Sequence, residues 1–428
     1  MEAAALTRGL SHPTLRFVPH WVAGGCAVVI AVGAAERAAG RSLGAPLAPF
    51  FAHWDPQAVL LALPFALLLG AAVAVAPRLC RPSVSPLAFA AATFALALAL
   101  RLGLAAARGG PERWSAVFGT DAEAANEYLP ALPALTLGLH GFLDRFAELA
   151  PSLPIHPSGH PPGMLVLLDL LGIRTADGMA ALTIAGGALA VPLTYALGRS
   201  VLDERRARVA AALMLFAPSA LLYGATSADA LYATLALAAA SCMLARGRLA
   251  RLLGPVALAV ASFFSFALLG AGAWALLVRR RVRPALAAAG CVIAFYALLH
   301  AITGFDPIGT LESASEAYRI GIASARPYWY WLLGSPVAFL VAMGLPLAWY
   351  ALRALAARER TAVSLALVVV AAAVLGFTKA ETERIWLFLV PLACVAAASA
   401  LPSRRLAPVL ALLACQALAV ELLLGTIW

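Results

Sequence analysis

What most constrains this chain is the return, again and again, of apolar runs close to the length that spans a bilayer. They fall at roughly 20–36, 57–76, 86–106, 179–199, 208–223, 228–245, 253–278, 284–302, 331–351, 361–378, 385–400 and 406–427. About 20 residues of helix cross the hydrocarbon layer, and lipid offers no partner to an open backbone, so such runs must fold as helices. With 63% hydrophobic and 12% charged residues, the chain has little material for a soluble surface. The fold class expected is an all-α polytopic membrane protein of about 12 or 13 transmembrane helices, a single integral membrane domain over residues 1–428. The first run has no small-residue cleavage site behind it and is followed by many more, so it reads as a retained span and not a signal peptide.

The formal net charge of +10 does not point to nucleic acid. Its excess sits in short Arg clusters between apolar runs, which is the signature of topology. With the N-terminus cytoplasmic, about two thirds of the 31 Lys and Arg residues fall on inner connectors, as the positive-inside rule asks. The expected location is therefore the inner (plasma) membrane, multi-pass. One run does not fit a simple crossing: 253–278 carries Arg246, Arg248 and Arg251 before it and Arg279, Arg280, Arg281 and Arg283 after it. Both ends want the same side, so two short helices meeting near Ser262 to Ser265 and turning back are expected. The six cysteines stand singly, with no CxxC spacing.

Most of the 21 acidic residues fall on the outer connectors or their membrane edge. Carboxylates contribute little to topology, so their placement calls for chemistry on the external, periplasmic face. The long outer connector, 107–178, is the place to look. Its spacing predicts amphipathic interfacial helices over 132–149 and again from Pro161 to about Gly172. Asp121 and Glu123 open it as candidate catalytic carboxylates, with Asp121 the first choice of base and Tyr128 seven positions on. Thr120-x-x-Glu123 also reads as a capping box, which would give Glu123 a structural task. His156-Pro-Ser-Gly-His160-Pro-Pro-Gly163 closes the stretch. It reads either as a rigid turn or as a pair of histidines hydrogen-bonding a phosphate or a sugar hydroxyl; prolines between them argue against a helical metal pair.

Further along, Lys379-Ala-Glu381-Thr-Glu383-Arg384 holds the chain's single lysine. Lys379 and Arg384 read as an anion clamp for a lipid phosphate, oriented by Glu381 and Glu383, or else as an interfacial salt-bridge cluster. Arg319 and Arg326, among Tyr318, Tyr328 and Trp329, make a second basic and aromatic patch. Asp229 follows Gly224-Ala-Thr-Ser227 at the outer start of a span, as a site residue or a helix-start residue. No cofactor is demanded by these spacings, and a divalent metal is compatible with them.

The order of these features resembles that of the membrane-embedded GT-C glycosyltransferases, the protein O-mannosyltransferase and lipid A aminoarabinose transferase branch in particular. The matching stretches are Asp121 to Tyr128, His160-Pro-Pro-Gly163, and Leu197-Gly-Arg199 through Asp229-Ala230-Leu231. The chain departs from that branch in its Asp-x-Glu pair, in the histidine before Pro161 and in three runs ahead of the loop. What the resemblance implies is a GT-C-like fold and an inverting glycosyltransferase. The donor would be a polyprenyl-phosphate-linked sugar and the acceptor a hydroxyl on a lipid, glycan or protein, with Asp121 or Glu123 as base and Arg384, Lys379 and Arg319 on the leaving phosphate. The rival readings are a lipid-linked sugar flippase or transporter, which would want ionisable groups near mid-membrane, and a non-catalytic assembly protein.

Overall fold

A computed structural model describes residues 17–57 and 59–426; Arg8 and Arg16, counted above on the cytoplasmic side, lie outside them. The protein is 78% helical. Among the described residues, seven helices are long and apolar enough to cross a membrane: Val18–Ala38, Ala62–Leu79, Pro86–Ala105, Ala176–Val201, Val282–Thr303, Thr382–Ala400 and Ser403–Leu423. An eighth span is made if Tyr328–Ala342 and Leu345–Ala356, bent by 113°, count as one. The bend sits at Gly344, whose φ of 113° excludes other residues and whose missing side chain leaves room for Leu413.

This count falls short of the 12 or 13 spans expected, and the reason is visible in the missing ones. The runs 208–223, 228–245, 253–278 and 361–378 form the helices Glu204–Phe216, Ala228–Leu244, Arg248–Ser262, Leu269–Arg279 and Arg360–Leu375, all shorter than the about 20 residues of a typical span. A helix apolar all round is buried in protein as readily as in lipid. Ala228–Leu244 is of this kind, and Glu204–Phe216 becomes so beyond its charged first turns; both are buried along most of their lengths. They pack with Ala176–Val201 and the wholly buried Val390–Ala398 stretch into one contiguous core that runs from Ala62 to Ala417. Val18–Ala38 and Val282–Thr303, by contrast, bury only 11% of their apolar windows and form the rim.

The run flanked by arginines breaks where expected. Arg248–Ser262 and Leu269–Arg279 are separated by a turn at Phe263–Leu268, and Arg279 Nη2 donates to the Ala245 carbonyl at 3.2 Å. The two basic ends therefore lie side by side. At the break, Ser262 Oγ shares a hydrogen bond with Tyr296 OH at 3.0 Å, and the Phe263 carbonyl accepts from Gly163 N–H at 2.9 Å. A broken helix is tolerated in just such a setting, where neighbouring protein satisfies the freed groups.

The helices expected over 132–149 are short pieces: Pro130 and Pro133 confine Leu129–Leu137 to a 3₁₀ helix, Gly138, at φ 77°, starts the α-helix Gly138–Asp144, and Phe146–Leu149 follows. The fold is all-α as expected, with one short antiparallel ribbon besides, Ala52–Trp54 against Leu424–Thr426, His53 opposite Gly425. Within the second expected segment, Pro161 to about Gly172, a helix forms over Gly163–Leu170.

Candidate functional site: a buried mixed-charge centre

The stretch from Thr120 does not form a capping box. Asp121, in extended conformation, begins a 3₁₀ turn over Ala122–Asn126 without using its side chain as a cap. That leaves the Glu123 carboxylate for longer-range partners: Oε1 lies 2.8 Å from His156 Nε2, and Oε2 accepts from Asn126 Nδ2 at 3.1 Å. A carboxylate only accepts, so the imidazole donates here. Four residues after Glu123, Glu127 is buried at 1% exposure, with Oε1 3.8 Å from the same imidazole nitrogen and Oε2 without a hydrogen-bond partner. Burial pushes its carboxyl up to about 7, against the pull of His156 and Arg384, while Glu123 and Asp229 add to the rise.

Opposite the loop stands Arg384. Nη1 donates to Asp229 Oδ2 at 2.6 Å and Nη2 to Glu381 Oε2 at 3.1 Å, while the other oxygen of Glu381 takes Arg326 Nη2 at 2.5 Å. The result is a string of alternating charge, Asp229, Arg384, Glu381, Arg326, with every member buried. Local sequence explains its members' positions. Ser227 caps the helix Ala228–Leu244 and its hydroxyl donates to Asp229 Oδ2 at 2.9 Å. Ala380 and Glu381 both take left-handed backbone, φ 65° and 57°, before the one-turn helix Thr382–Ile385. Two successive non-glycine residues there cost on the order of 1–3 kcal/mol each, a strain that folded proteins concentrate at functional sites.

The remaining wall is aromatic. Tyr128 OH and Tyr232 OH are 2.7 Å apart, and the His160 ring stands edge-on to Tyr232 at 5.5 Å between centroids. Burial lowers His160 to about 4, so its imidazole is neutral at physiological pH. Gly163 docks so closely on the break after Ser262 that a Cβ would lie 2.4 Å from the Phe263 carbonyl oxygen.

The structure thus brings together Glu123, Tyr128, His156, His160, Asp229, Glu381 and Arg384 from the residues the sequence singles out. It places others elsewhere. Asp121 pairs with Arg113 at 2.8 Å and lines a separate cavity of about 100 Å³ with Arg108, Thr226 and Glu421. Arg319 pairs with Glu316 on an exposed helix face. Lys379 does not join Arg384 in a clamp: its ammonium donates to the Ala323 and Arg326 carbonyls, at 3.2 and 2.8 Å. The left-handed turn at Ala380 and Glu381 separates the directions of the two cations. Glu383 is buried, one oxygen accepting from Phe51 N–H at 2.6 Å and the other unpartnered.

Glu127 and Tyr232 belong to the centre without being among the residues the sequence singles out, and Arg326, read as part of a separate patch with Arg319, joins it through Glu381. Glu127 had a signal, its i+4 spacing from Glu123; Tyr232 had none. Among the described residues, no group of three or more His, Cys, Asp and Glu side chains is arranged to hold a metal ion. The fold and centre together define a multi-pass α-helical membrane protein with a buried network of carboxylates, histidine and arginine where a long connector meets the helix starts. No family model, curated protein or solved structure matches the chain.

Proposed function

We propose that the protein is an integral membrane glycosyltransferase, moving a sugar from a polyprenyl-phosphate carrier to a hydroxyl of a lipid, glycan or protein at the outer face of the inner membrane. The observation that carries this reading is the Glu123–His156 pair beside Glu127 and the buried Arg384. A hydroxyl needs a base to become a nucleophile, and a phosphate leaving group needs a cation but no acid. In the step, Glu123 takes the acceptor's proton, the oxygen attacks the anomeric carbon, and the bond from that carbon to the phosphate oxygen breaks. The carrier phosphate departs with the electron pair, stabilised by the field of Arg384. Single displacement inverts the anomeric centre. His156 orients Glu123 through its hydrogen bond, and the neutral His160 and the Tyr128–Tyr232 pair offer hydrogen-bonding and stacking surface to the sugar.

A specific observation favours a carrier instead. Arg101 is fully buried in the span Pro86–Ala105, donating to the Gly224 and Ala97 carbonyls at 3.1 and 3.2 Å. An ionisable group in such a place marks a transport path by default. Here it also fastens the segment just ahead of Asp229, which suits a scaffold for the polar centre equally well. Proteoliposomes offered a panel of polyprenyl-phosphate sugars decide between them. The proposal expects labelled sugar on a hydroxyl acceptor with inverted configuration. Movement of the intact donor across the bilayer with no transfer from any donor would establish the carrier and end the transferase reading.

A further inference from the structure

The arginine-flanked hairpin carries a second feature, independent of whether the protein transfers sugar. Between Asp229 and Asp306 the chain has no acidic residue, yet it has seven arginines, all at the two ends of the hairpin. Four of them, Arg248, Arg251, Arg279 and Arg283, line one cavity of about 340 Å³ whose walls include Leu252 and Pro255. Arg248 and Arg251 lie one turn apart on the same helix face. Arg279 and Arg283 are brought to the cavity by the left-handed turn at Arg280, φ 51°. Arg251 and Arg279 donate to the backbone carbonyls of Gly247 and Ala245, not to carboxylates. The rest of the lining is apolar, Met243, Leu252, Pro255, Leu276, Pro284 and Ala287 among it, which suits acyl chains. The helix Arg248–Ser262 sets this pocket about 20 Å from the break where Gly163 docks, so it is not part of the acidic centre.

Solvated topology arginines have no need of a shared concavity. Four cations converging on one, with no carboxylate in ion-pair contact with them among the described residues and apolar side chains completing the lining, fit a phosphate with hydrocarbon attached. We infer that this pocket binds the headgroup of a phospholipid of net negative charge, its phosphate among Arg248, Arg251, Arg279 and Arg283 and its chains along the apolar lining.

The test uses the full chain in nanodiscs of phosphatidylcholine containing a minor share of phosphatidylglycerol, followed by detergent extraction and mass spectrometry of lipid retained per chain. Wild type should retain phosphatidylglycerol selectively. R248Q/R279Q should bind it about thirtyfold more weakly, from the loss of two surface cations near the phosphate. R280Q/R281Q removes the same charge outside the pocket and should retain the lipid as wild type does. R248K/R279K, which keeps charge and packing, should recover most of the retention and shows that the glutamine pair has not merely misfolded. Equal loss in the two glutamine pairs, equal retention of phosphatidylcholine, or full displacement by millimolar inorganic phosphate would each overturn the inference.

Discussion

Glu127 gives the most quantitative handle on the polar centre. Its carboxyl is buried, one oxygen is unpartnered, and its value rises from 4.5 to about 7. The folded state therefore holds the proton more tightly than the unfolded chain. Stability contributed by this preference is complete below about pH 4.5 and is lost as pH rises to about 7, where the folded carboxyl must ionise in a site that disfavours it. A rise of that size corresponds to about 3 kcal/mol between the two limits. Glu127→Gln cannot ionise. Its buried amide shifts the whole stability curve by a constant amount but leaves it without this slope. Thermal unfolding of both proteins in mild detergent, from pH 4.5 to 8.5, reads the difference. The wild-type midpoint should fall relative to the variant's, by on the order of 5 °C, with most of the change below pH 7. Parallel curves across that range, or a difference that grows in the wild type's favour with pH, would refute the account of Glu127 as a proton-holding group.

Two other substitutions probe the same region. Arg384→Leu leaves Asp229 and Glu381 buried without their shared cation, and should cost about 3–5 kcal/mol; adding Asp229→Asn should recover part of it, measured as the interaction term of a double-mutant cycle. Gly163→Ala pushes a methyl into the Phe263 carbonyl and should destabilise by about 1–3 kcal/mol, with faster amide exchange at the 263–265 break.

How much of this could be read from the residues follows from the range of each interaction. The run lengths marked the membrane helices, and the matching arginine flanks at Arg246–Arg251 and Arg279–Arg283 marked the hairpin, because both signals are local. Apolarity alone does not fix where a helix ends, so the runs 208–223 and 228–245 read as full spans while the helices they form are the shorter Glu204–Phe216 and Ala228–Leu244. The stretch Thr120–Gly163 was legible as chemically dense. Which of its carboxylates meets which histidine was not, since Glu123 and His156 are 33 residues apart and a 3₁₀ turn replaces the α-helix that would have aligned Asp121 with Tyr128. The Arg384–Asp229 pair spans 155 residues and depends on left-handed backbone at Ala380 and Glu381, a conformation that neither residue type advertises.

The central claim, that the Glu123–His156 pair rather than the exposed Asp121–Arg113 pair activates the acceptor, is tested by sugar transfer in proteoliposomes with Glu123→Gln and Asp121→Asn at equal folded yield. The account predicts a loss of about a thousandfold for Glu123→Gln. Asp121→Asn, which breaks only a partly exposed ion pair, should stay within about tenfold of wild type. Transfer that survives Glu123→Gln and disappears with Asp121→Asn would contradict it.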